Sequence, residues 1–390
     1  MASRRHVFAI AARRFNERIF GEQTSFLRGL IRIARRCGMD GYVFSPLDID
    51  WERRRVKAYV PTARGWKRVR RHFPGVVYDR LWGLAPLKAE ACRAALRRLE
   101  AEFGVRVFNP DFGDKLAVYA HLSRDPDLAP HLPETLPASA EAIERLGSAY
   151  GTVFIKPARG RQGKGIVRAE QTGSGWKAAK TTESGSVAKG LFADPGGVLR
   201  FAAGSDPAGF LVQQGLDLVR PKGRAVDVRA IVQKDGGGRW RVSAVGARVG
   251  RPGGFVSNLH AGGTAMTLSG LVRMLPRSRG SGRLAAEIKA LALKTAERMS
   301  AAYPLLGELG LDFGIDRRGK LWLIEVNRQP GRALFARARI RKSWRTSRLR
   351  VVHYARFLAS GRAVPTSPGP SSPASPGLAP GGPPGTLPGN

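Results

Sequence analysis

The segment VFIKPARGRQGKGIV, residues 153–167, decides the fold prediction for this chain. Its first half is an apolar strand that carries one lysine, Lys156, and its second half is a loop with three glycines, Gly160, Gly163 and Gly165. Glycines let a backbone approach a polyphosphate closely and turn its N–H groups toward the anion, while lysines supply positive charge. The loop is not a Walker A motif, because no Lys-Ser/Thr pair leads into a helix. It predicts phosphate binding, although an ordinary glycine-rich hairpin has the same pattern.

Two later segments, GLDFGID (residues 310–316) and LWLIEVN (residues 321–327), predict a hairpin whose strands carry acids inside apolar runs. Strand alternation places Glu325 and Asn327 on the same face of their strand, and Asp312 on the neighbouring strand can reach that face. Two carboxylates and an amide oxygen form a hard oxygen site, suited to a Mg²⁺ that also holds nucleotide phosphates. The alternative is a polar edge strand with solvated acids, which is a weaker explanation in a chain with only 30 acidic residues.

A third group of polar residues lies between these segments. A short apolar strand breaks off at Gln214 and Gly215, where its backbone can offer a donor and an acceptor to an adenine edge. Asp227 can accept hydrogen bonds from ribose hydroxyls. Arg229 and Arg248 occupy inward-facing strand positions, where their charge must be neutralised. Each arginine taken alone is explained equally well as a solvated surface residue.

Composition and turn signals divide the chain into three parts. Alternating strand and helix patterns fill residues 1–111, and glycine-punctuated strands with further helices fill residues 112–360. The predicted fold class is therefore α/β with α+β lobes. Residues 361–390 are rich in Pro, Gly and Ser and cannot bury enough apolar surface to fold, so this tail is expected to be disordered.

The net charge of +36, from 66 Lys and Arg against 30 Asp and Glu, is the extreme value of the composition. Such a charge favours binding to polyanions such as nucleic acid, anionic lipid or acidic peptides. The simpler explanation is a compositional bias toward arginine, because the basic residues are spread along most of the chain. No helix-turn-helix, zinc finger or RNP-type motif focuses them, which disfavours a nucleic-acid-associated protein. A basic helix or arm at residues 337–350 is the patch where a polyanion would be sought.

The sequence predicts a cytoplasmic protein. No apolar run is long enough to cross a bilayer, and residues 7–12 are too short for a signal-peptide core. Cys37 and Cys92 have neither a disulfide framework nor metal-ligand spacing, and they are interpreted as thiols in a reducing compartment.

In their order and spacing these segments resemble the ATP-grasp superfamily. Residues 115–331 are similar to the branch that includes ribosomal-protein glutamate ligases. The amino half has FGEQ at residues 20–23, YVFSPLDIDW at residues 42–51 and VYDR at residues 77–80, and it looks like the YheC/YheD group of endospore coat-associated ATP-grasp proteins. The resemblance implies an ATP-grasp fold with a pre-ATP-grasp-like N-terminal α/β domain and a lid subdomain at about residues 150–216.

The resemblance also implies which residues hold ATP and Mg²⁺. Magnesium would be held by Asp312, Glu325 and Asn327. The nucleotide would be held by two lysines and a closing loop on the phosphates, a segment along the adenine and one aspartate on the ribose. These nucleotide-binding residues are Lys115, Lys156, Arg159, Gly160, Gln162, Gly163, Gly165, Gln213, Gln214, Gly215, Leu216 and Asp227. Arg229, Arg248 and Asn258 are implied as the catalytic residues, the last two facing the reacting γ-phosphate and carboxylate.

The activity implied is ATP-dependent ligation of a carboxylate to an amine or a thiol. The γ-phosphoryl group passes to the carboxylate, and the amine or thiol then displaces phosphate from the acyl phosphate. Positioning and charge stabilisation suffice for this route, which suits a sequence without a convincing Ser-His-Asp or Cys-His arrangement. The expected partners are ATP, an unidentified carboxylate, its amine or thiol acceptor, and spore coat proteins or a polyanion. The alternative is a non-catalytic ATP-binding scaffold of the spore coat.

Overall fold

The structure is a computed structural model of the 390-residue chain. It describes residues 6–15, 19–160, 164–182, 186–254, 257, 259, 262–275 and 281–365. The predicted site residues Gln162, Gly163 and Asn258 lie outside these ranges, and so does the predicted tail from residue 366 onward. Within the described ranges, no helix is both long enough and apolar enough to cross a membrane.

Helices flank three sheets. Their bounds are α1 Thr24–Arg36, α2 Pro86–Phe103, α3 Lys115–Leu122, α4 Ala140–Tyr150, α5 Pro195–Ala203, α6 Leu268–Val272, α7 Ser281–Ala302, α8 Ala333–Arg337 and α9 Arg341–Ala359. Helix α4 shows how the sequence sets such bounds. The hydroxyl of Ser139 accepts from the N–H of Ala142 at 3.0 Å, and Gly151 ends the helix with a φ of 70° that favours glycine.

The first sheet is mixed and is covered on both faces. Its strands are β1 (Val7–Ala11), β2 (Asp40–Asp50), β3 (Arg55–Thr62), β4 (Gly65–His72), β5 (Val76–Asp79) and β6 (Arg106–Phe108). They lie in the order β4-β3-β2-β1-β5-β6, in which β2, β1, β5 and β6 are parallel and β3 and β4 extend one edge as an antiparallel pair. Helices α1 and α9 pack on one face and α2 on the other. This double cover explains why β1 is a continuous apolar run.

The second sheet is antiparallel and has two helices on one face. Its strands are β7 (Thr135–Pro137), β8 (Thr152–Pro157), β9 (Val167–Thr172), β10 (Gly175–Thr181), β11 (Val187–Phe192) and β12 (Phe210–Gln214), in the order β11-β10-β9-β8-β12-β7. Helices α4 and α5 pack on it through Ile143, Leu146 and Val198. The predicted lysine strand is β8, and it pairs with β9 and β12.

The third sheet carries the polar side chains of the site. Its strands are β13 (Arg224–Lys234), β14 (Trp240–Pro252), β15 (Thr264–Met266), β16 (Glu308–Ile315) and β17 (Leu321–Asn327), in the antiparallel order β15-β14-β13-β16-β17. Val226, Val228 and Ala230 of β13 pack in the core with α7. Asp227 and Arg229 alternate with them and therefore face the opposite side. The hairpin predicted from the two acidic segments is confirmed as β16 and β17.

Glu308 joins the first sheet to the third. Its carboxylate is completely buried and accepts hydrogen bonds from the Tyr78 hydroxyl of β5, from Arg332, and from Gln233 at 2.9 Å. Arg80 Nη1 lies 3.4 Å from the same carboxylate. Burial, reinforced by the charge of Glu308, raises the pKa of Tyr78 above its ordinary value, so its hydroxyl remains a donor. One carboxylate thus serves two buried guanidinium groups.

Replacing Glu308 by alanine is expected to lower the free energy of unfolding by about 3–5 kcal/mol, because Arg80 and Arg332 become buried cations without their counter-ion. Glu308→Gln keeps the side-chain volume and one acceptor oxygen, so it should lose less. Urea unfolding followed by circular dichroism measures both variants. An alanine variant as stable as the wild type would contradict the role given to Glu308.

Candidate functional site

A cavity of about 1120 Å³ opens between the three sheets. This exceeds the usual volume of a small-ligand pocket, so there is room for more than one ligand. Most of the described site residues predicted from the sequence line it. They are Lys115, Lys156, Gly160, Gln213, Gln214, Gly215, Leu216, Asp227, Arg229, Arg248, Asp312, Glu325 and Asn327.

Four charged side chains of alternating sign form one wall of the cavity. Asp227 and Arg248 are register partners on β13 and β14, and Arg229 and Asp312 are partners on β13 and β16. Arg248 Nε donates to Asp227 at 2.6 Å, and its Nη2 lies 2.9 Å from Asp312. Arg229 donates two hydrogen bonds to Asp312, from Nε and from Nη2, the second at 2.7 Å. We call Asp227, Arg248, Asp312 and Arg229 the charge array.

Burial and pairing act differently on the two carboxylates of the charge array. Burial raises the pKa of Asp227, even though Arg248 opposes the shift. Burial also acts to raise the pKa of Asp312, but Arg229 and Arg248 outweigh it and the pKa of Asp312 falls to about 2. With both carboxylates ionised, the charge array is neutral. It therefore fixes the direction of Arg248 rather than adding net positive charge.

Asp312, Glu325 and Asn327 meet where β16 and β17 pair. Asn327 Nδ2 lies 3.3 Å from Asp312 Oδ2 and 3.2 Å from Glu325 Oε2. Two carboxylate oxygens thus converge on one donor, and a hard cation fits the same arrangement once the amide turns its oxygen inward. In the described part of the chain, no three His, Cys, Asp or Glu side chains gather around one point. A metal ion here would therefore depend on two carboxylates and one amide.

Lys115 approaches this acidic end from the start of α3. Its Nζ donates to the carbonyls of Pro157 and Gly160, at 3.1 and 3.0 Å, and lies 3.5 Å from Glu325 Oε1. Helix α3 begins here because Asp114 caps its first turn by accepting from the N–H of Leu116 at 3.0 Å. Lys115 thus joins the loop after β8 to Glu325 on β17.

Lys156 is the lysine of the predicted strand, and it points into the cavity. Its Nζ donates to Gln213 Oε1 at 2.6 Å, and Gln213 Nε2 donates to Thr135 at 2.9 Å. Burial lowers the pKa of Lys156 to about 8, with Glu325 opposing the shift and Lys115 adding to it. An anion placed against Lys156 would raise this pKa again.

The glycine loop is only partly in the wall. Gly160 and Lys164 line the cavity. Gly165 does not, and its φ of 66° forms the turn back into β9. The Arg159 side chain is 67% exposed, with its guanidinium 3.9 Å from Asp111. The structure therefore does not bring Arg159 or Gly165 into the cavity.

The segment after β12 lines the cavity through a tightly packed backbone. Gln214 N donates to Glu134 O and Gly215 N donates to Thr152 O, both at 2.8 Å. A Cβ on Gly215 would lie 2.4 Å from Thr152 O, so only glycine fits there. The N–H groups of Gln214 and Gly215, at the strand end where a donor and an acceptor for adenine were predicted, are thus already used. Of the backbone N–H groups of residues 214–216, that of Leu216 has no acceptor among the residues that the structure describes.

Several residues of the wall were not predicted from the sequence. Ser257 donates to Asp227 and helps to satisfy that buried carboxylate. Five further lining residues without a predicted role are Gln23, Phe26, Arg80, Arg332 and Arg348. Gln23 and Arg80 lie in the FGEQ and VYDR segments that carried the family resemblance, and this was the only signal that could have found them.

Comparisons with known proteins bear on the family and the fold of the chain. The family model described as YheC/D like ATP-grasp matches residues 104–358. The chain is 30% identical over 361 residues to the endospore coat-associated protein YheD of Bacillus subtilis (strain 168), covering 90% of this chain and 77% of that protein. It is 23% identical over 306 residues to YheC of the same strain, covering 78% of this chain and 84% of that protein.

Two solved structures share the fold. One is the ATP-grasp ligase PsnB complexed with a minimal precursor, with a TM-score of 0.52, 17% identity, and coverage of 90% of this chain and 99% of that chain. The other is the D-cycloserine synthetase DcsG, with a TM-score of 0.54, 15% identity, and coverage of 91% and 99%. The predicted fold class, α/β with an ATP-grasp fold, is confirmed.

The shifted pKa of Lys156 predicts a pH-dependent stability. The pKa is about 8 in the folded protein against 10.5 ordinarily, so the unfolded chain binds more protons between these values. The free energy of unfolding of the wild type should therefore rise with pH across that window relative to Lys156→Met, by at least about 1 kcal/mol. Chemical unfolding from pH 7 to pH 10 measures it.

The control for this experiment is Lys177→Met, which removes an exposed lysine of β10. Its stability difference from the wild type should stay constant over the same pH range. Parallel curves for wild type and Lys156→Met would show that Lys156 is not held in a cation-disfavouring environment.

Proposed function

The chain belongs to the YheC/YheD-like ATP-grasp family, and on that premise we propose that it binds Mg-ATP and ligates a carboxylate to an amine or a thiol. One observation carries the proposal: the charge array, the Glu325–Asn327 pair and two lysines open into one cavity. Burying four charges costs free energy unless each is held by a partner. Such an array holds Arg248 in a fixed direction toward the cavity, as the stabilisation of a transferring group requires.

The proposed nucleotide position runs from the segment after β12 to the glycine loop. Residues 214–216 would lie along the adenine, with the N–H of Leu216 as the available donor. Asp227 would meet the ribose. Lys115 and Lys156 would meet the phosphates, and the pKa of Lys156 would rise again once a phosphate neutralised its charge.

Asp312, Glu325 and Asn327 would hold Mg²⁺. When bound, the ion neutralises phosphate charge and so lets the triphosphate approach two carboxylates. Asp312 already accepts from two arginines, whereas Glu325, whose side chain is 29% exposed, is more accessible. Glu325 is therefore the ligand whose replacement disturbs the fold least.

The chemistry requires two displacements that these residues can align. A carboxylate oxygen of the substrate attacks the γ-phosphorus, the bond to the β–γ bridging oxygen breaks, and ADP leaves. The amine or thiol then attacks the acyl carbon, the C–O bond breaks, inorganic phosphate leaves, and the proton of the nucleophile passes to phosphate or solvent. Arg248, fixed by two carboxylates, would stabilise the charge of the transferring group, with Arg229 keeping Asp312 in place.

The second candidate function is a non-catalytic ATP-binding scaffold associated with the spore coat. Two observations favour it. The relatives carry names that associate them with the endospore coat. The charge array is also internally satisfied, since Asp312 accepts from Arg229, Arg248 and Asn327 without any ligand. Under either function we propose an association with spore coat proteins.

Glu325→Gln separates the two functions. It keeps the side-chain volume and removes one charge from the proposed magnesium set, so carboxylate-dependent release of ADP should fall by about a hundredfold or more. ATP affinity should fall much less, because most of the proposed contacts lie on the lysines, the glycine loop and residues 214–216. The assay supplies ATP, Mg²⁺ and a pool of amino acids and peptides, with products identified by mass spectrometry. Glu102→Gln, on the exposed face of α2, is the matched control.

Two results would count against the ligase. Wild-type protein that releases no ADP with any substrate of the pool would favour the scaffold. Turnover that survives Glu325→Gln unchanged would remove both the metal assignment and the mechanism built on it.

ATP binding should depend on a divalent cation. Asp312 and Glu325 repel a triphosphate unless a cation lies between them, so affinity should be at least about tenfold lower in EDTA than in Mg²⁺. Isothermal titration calorimetry measures both conditions. Equal affinities would refute the metal site while leaving nucleotide binding itself intact.

A further inference from the structure

The wall of the cavity also holds three arginines, Arg80, Arg332 and Arg348, which we call the arginine cluster. The guanidinium groups of Arg80 and Arg332 lie 5.0 and 4.5 Å from the centre of the Phe26 ring. Arg348 stacks on Trp344 at 4.4 Å. All five side chains line the cavity, so the cluster faces the space beside the proposed nucleotide position.

The arginine cluster has more positive charge than its surroundings neutralise. Glu308 pairs with Arg80 and Arg332. Arg348 makes no ion pair with any described residue, and its Nε is buried without an acceptor. Burial, together with the charges of Arg332 and Arg32, lowers the pKa of Arg348. A cation in this position gains stability from any anion that reaches it.

Two buried amides in the same wall also lack a partner. Gln23 is 6% exposed; its Oε1 accepts from Arg80 Nε at 3.0 Å, which fixes the amide orientation and leaves Nε2 without an acceptor. Gln329 donates its Nε2 to the carbonyls of Asp79 and Leu81, at 3.3 and 2.9 Å, and its Oε1 is left without a donor. The wall therefore has unmet donors for an anion and an unmet acceptor for an N–H group.

Positive charge continues from this wall to the surface. Ala336 of α8 and Trp344 of α9 line the cavity, and the chain between them is exposed and basic. No Asp or Glu follows Glu325 in the sequence. Five exposed cations in and next to this stretch form no ion pair with any residue that the structure describes. They are Arg337, Arg339, Arg341, Lys342 and Arg345, which we call the basic arm.

We propose that the arginine cluster and the basic arm bind an acidic peptide segment, whose neighbouring carboxylates they hold while one carboxylate reaches Arg248. The inference rests on the proposed function and names its substrate class. A peptide fits better than a nucleic acid, because a carboxylate is the group that the proposed chemistry activates. The backbone N–H of a peptide also supplies the donor that Gln329 lacks, which a phosphodiester does not.

The test measures binding without turnover. The probe is a fluorescein-labelled peptide of ten glutamates, titrated with the full chain by fluorescence anisotropy without nucleotide, with a peptide of ten glutamines as the neutral comparison. Arg348→Gln should weaken binding by about tenfold or more, because a charge-assisted contact is lost. It should leave thermal stability unchanged or raised, because it removes a half-buried cation that has no counter-ion. A merely structural role for Arg348 would instead lower stability and spare binding.

Arg356→Gln is the matched control. Arg356 lies on the same helix, is exposed, and is not part of the cavity wall, so the same loss of one charge should change affinity by less than about twofold. The double variant Arg341→Glu with Lys342→Glu should weaken binding and reduce its salt dependence. Equal losses in Arg348→Gln and Arg356→Gln would show diffuse attraction by net charge and overturn the proposal.

Two further results would also overturn it. Free glutamate that displaces the probe as well as an unlabelled peptide of ten glutamates does would indicate a small amino acid as the ligand. A DNA oligonucleotide that binds more tightly than the peptide and loses affinity in Arg348→Gln would indicate a nucleic acid. The peptide site and the ligase activity can fail separately. If the wild type binds the peptide, Arg348→Gln loses that binding and no ADP is released with any substrate, the peptide site stands and the ligase proposal fails. If ADP is released with other carboxylates but the peptide does not bind, the ligase proposal stands and the peptide site fails.

Discussion

The carboxylate of Asp312, buried between Arg229 and Arg248, is the contact on which the geometry of the cavity depends. Its pKa of about 2 keeps it ionised at any physiological pH, so both arginines always have their counter-ion. Arg248 is in turn shared with Asp227, which ties β14 to β13 and β16 through side chains as well as through the backbone ladder. Removing Asp312 would leave Arg229 buried without a counter-ion and Arg248 with Asp227 alone, and repulsion between the two arginines would disturb the direction of Arg248.

Strand β16 carries a second buried carboxylate on the same face, and this links the two halves of the cavity. Glu308 and Asp312 are four residues apart, so strand alternation points them to one side. Gly310 lies between them, and a Cβ there would be 2.6 Å from Pro330 and 3.4 Å from Arg229. The missing side chain thus lets Pro330 pack directly on the strand between the two carboxylates. One carboxylate organises the charge array and the other organises Arg80 and Arg332 of the arginine cluster.

The large positive charge of the chain is distributed in two different ways. In the charge array each arginine is matched by a carboxylate, so charge there sets geometry. In the arginine cluster and the basic arm, cations outnumber carboxylates, and the chain beyond Glu325 contains no acid at all. Unmatched cations beside a cavity attract anions and raise their local concentration. A compositional bias toward arginine is therefore compatible with a polyanion partner. The arginines that would bind such a partner are only those of the arginine cluster and the basic arm.

The sequence by itself determined the strands and the faces of the site. Alternation with a period of two placed Glu325 with Asn327 and turned Arg229 and Arg248 inward, because that periodicity is a local property of the backbone. Periodicity did not show whether these two arginines are buried or solvated, nor which groups would neutralise them if buried. Only the tertiary structure decided that Asp312 serves both, that Arg159 lies away from the cavity, and that Arg348 lines it without a counter-ion among the described residues. Those choices depend on contacts between elements far apart in the chain, and such contacts leave no mark on local periodicity.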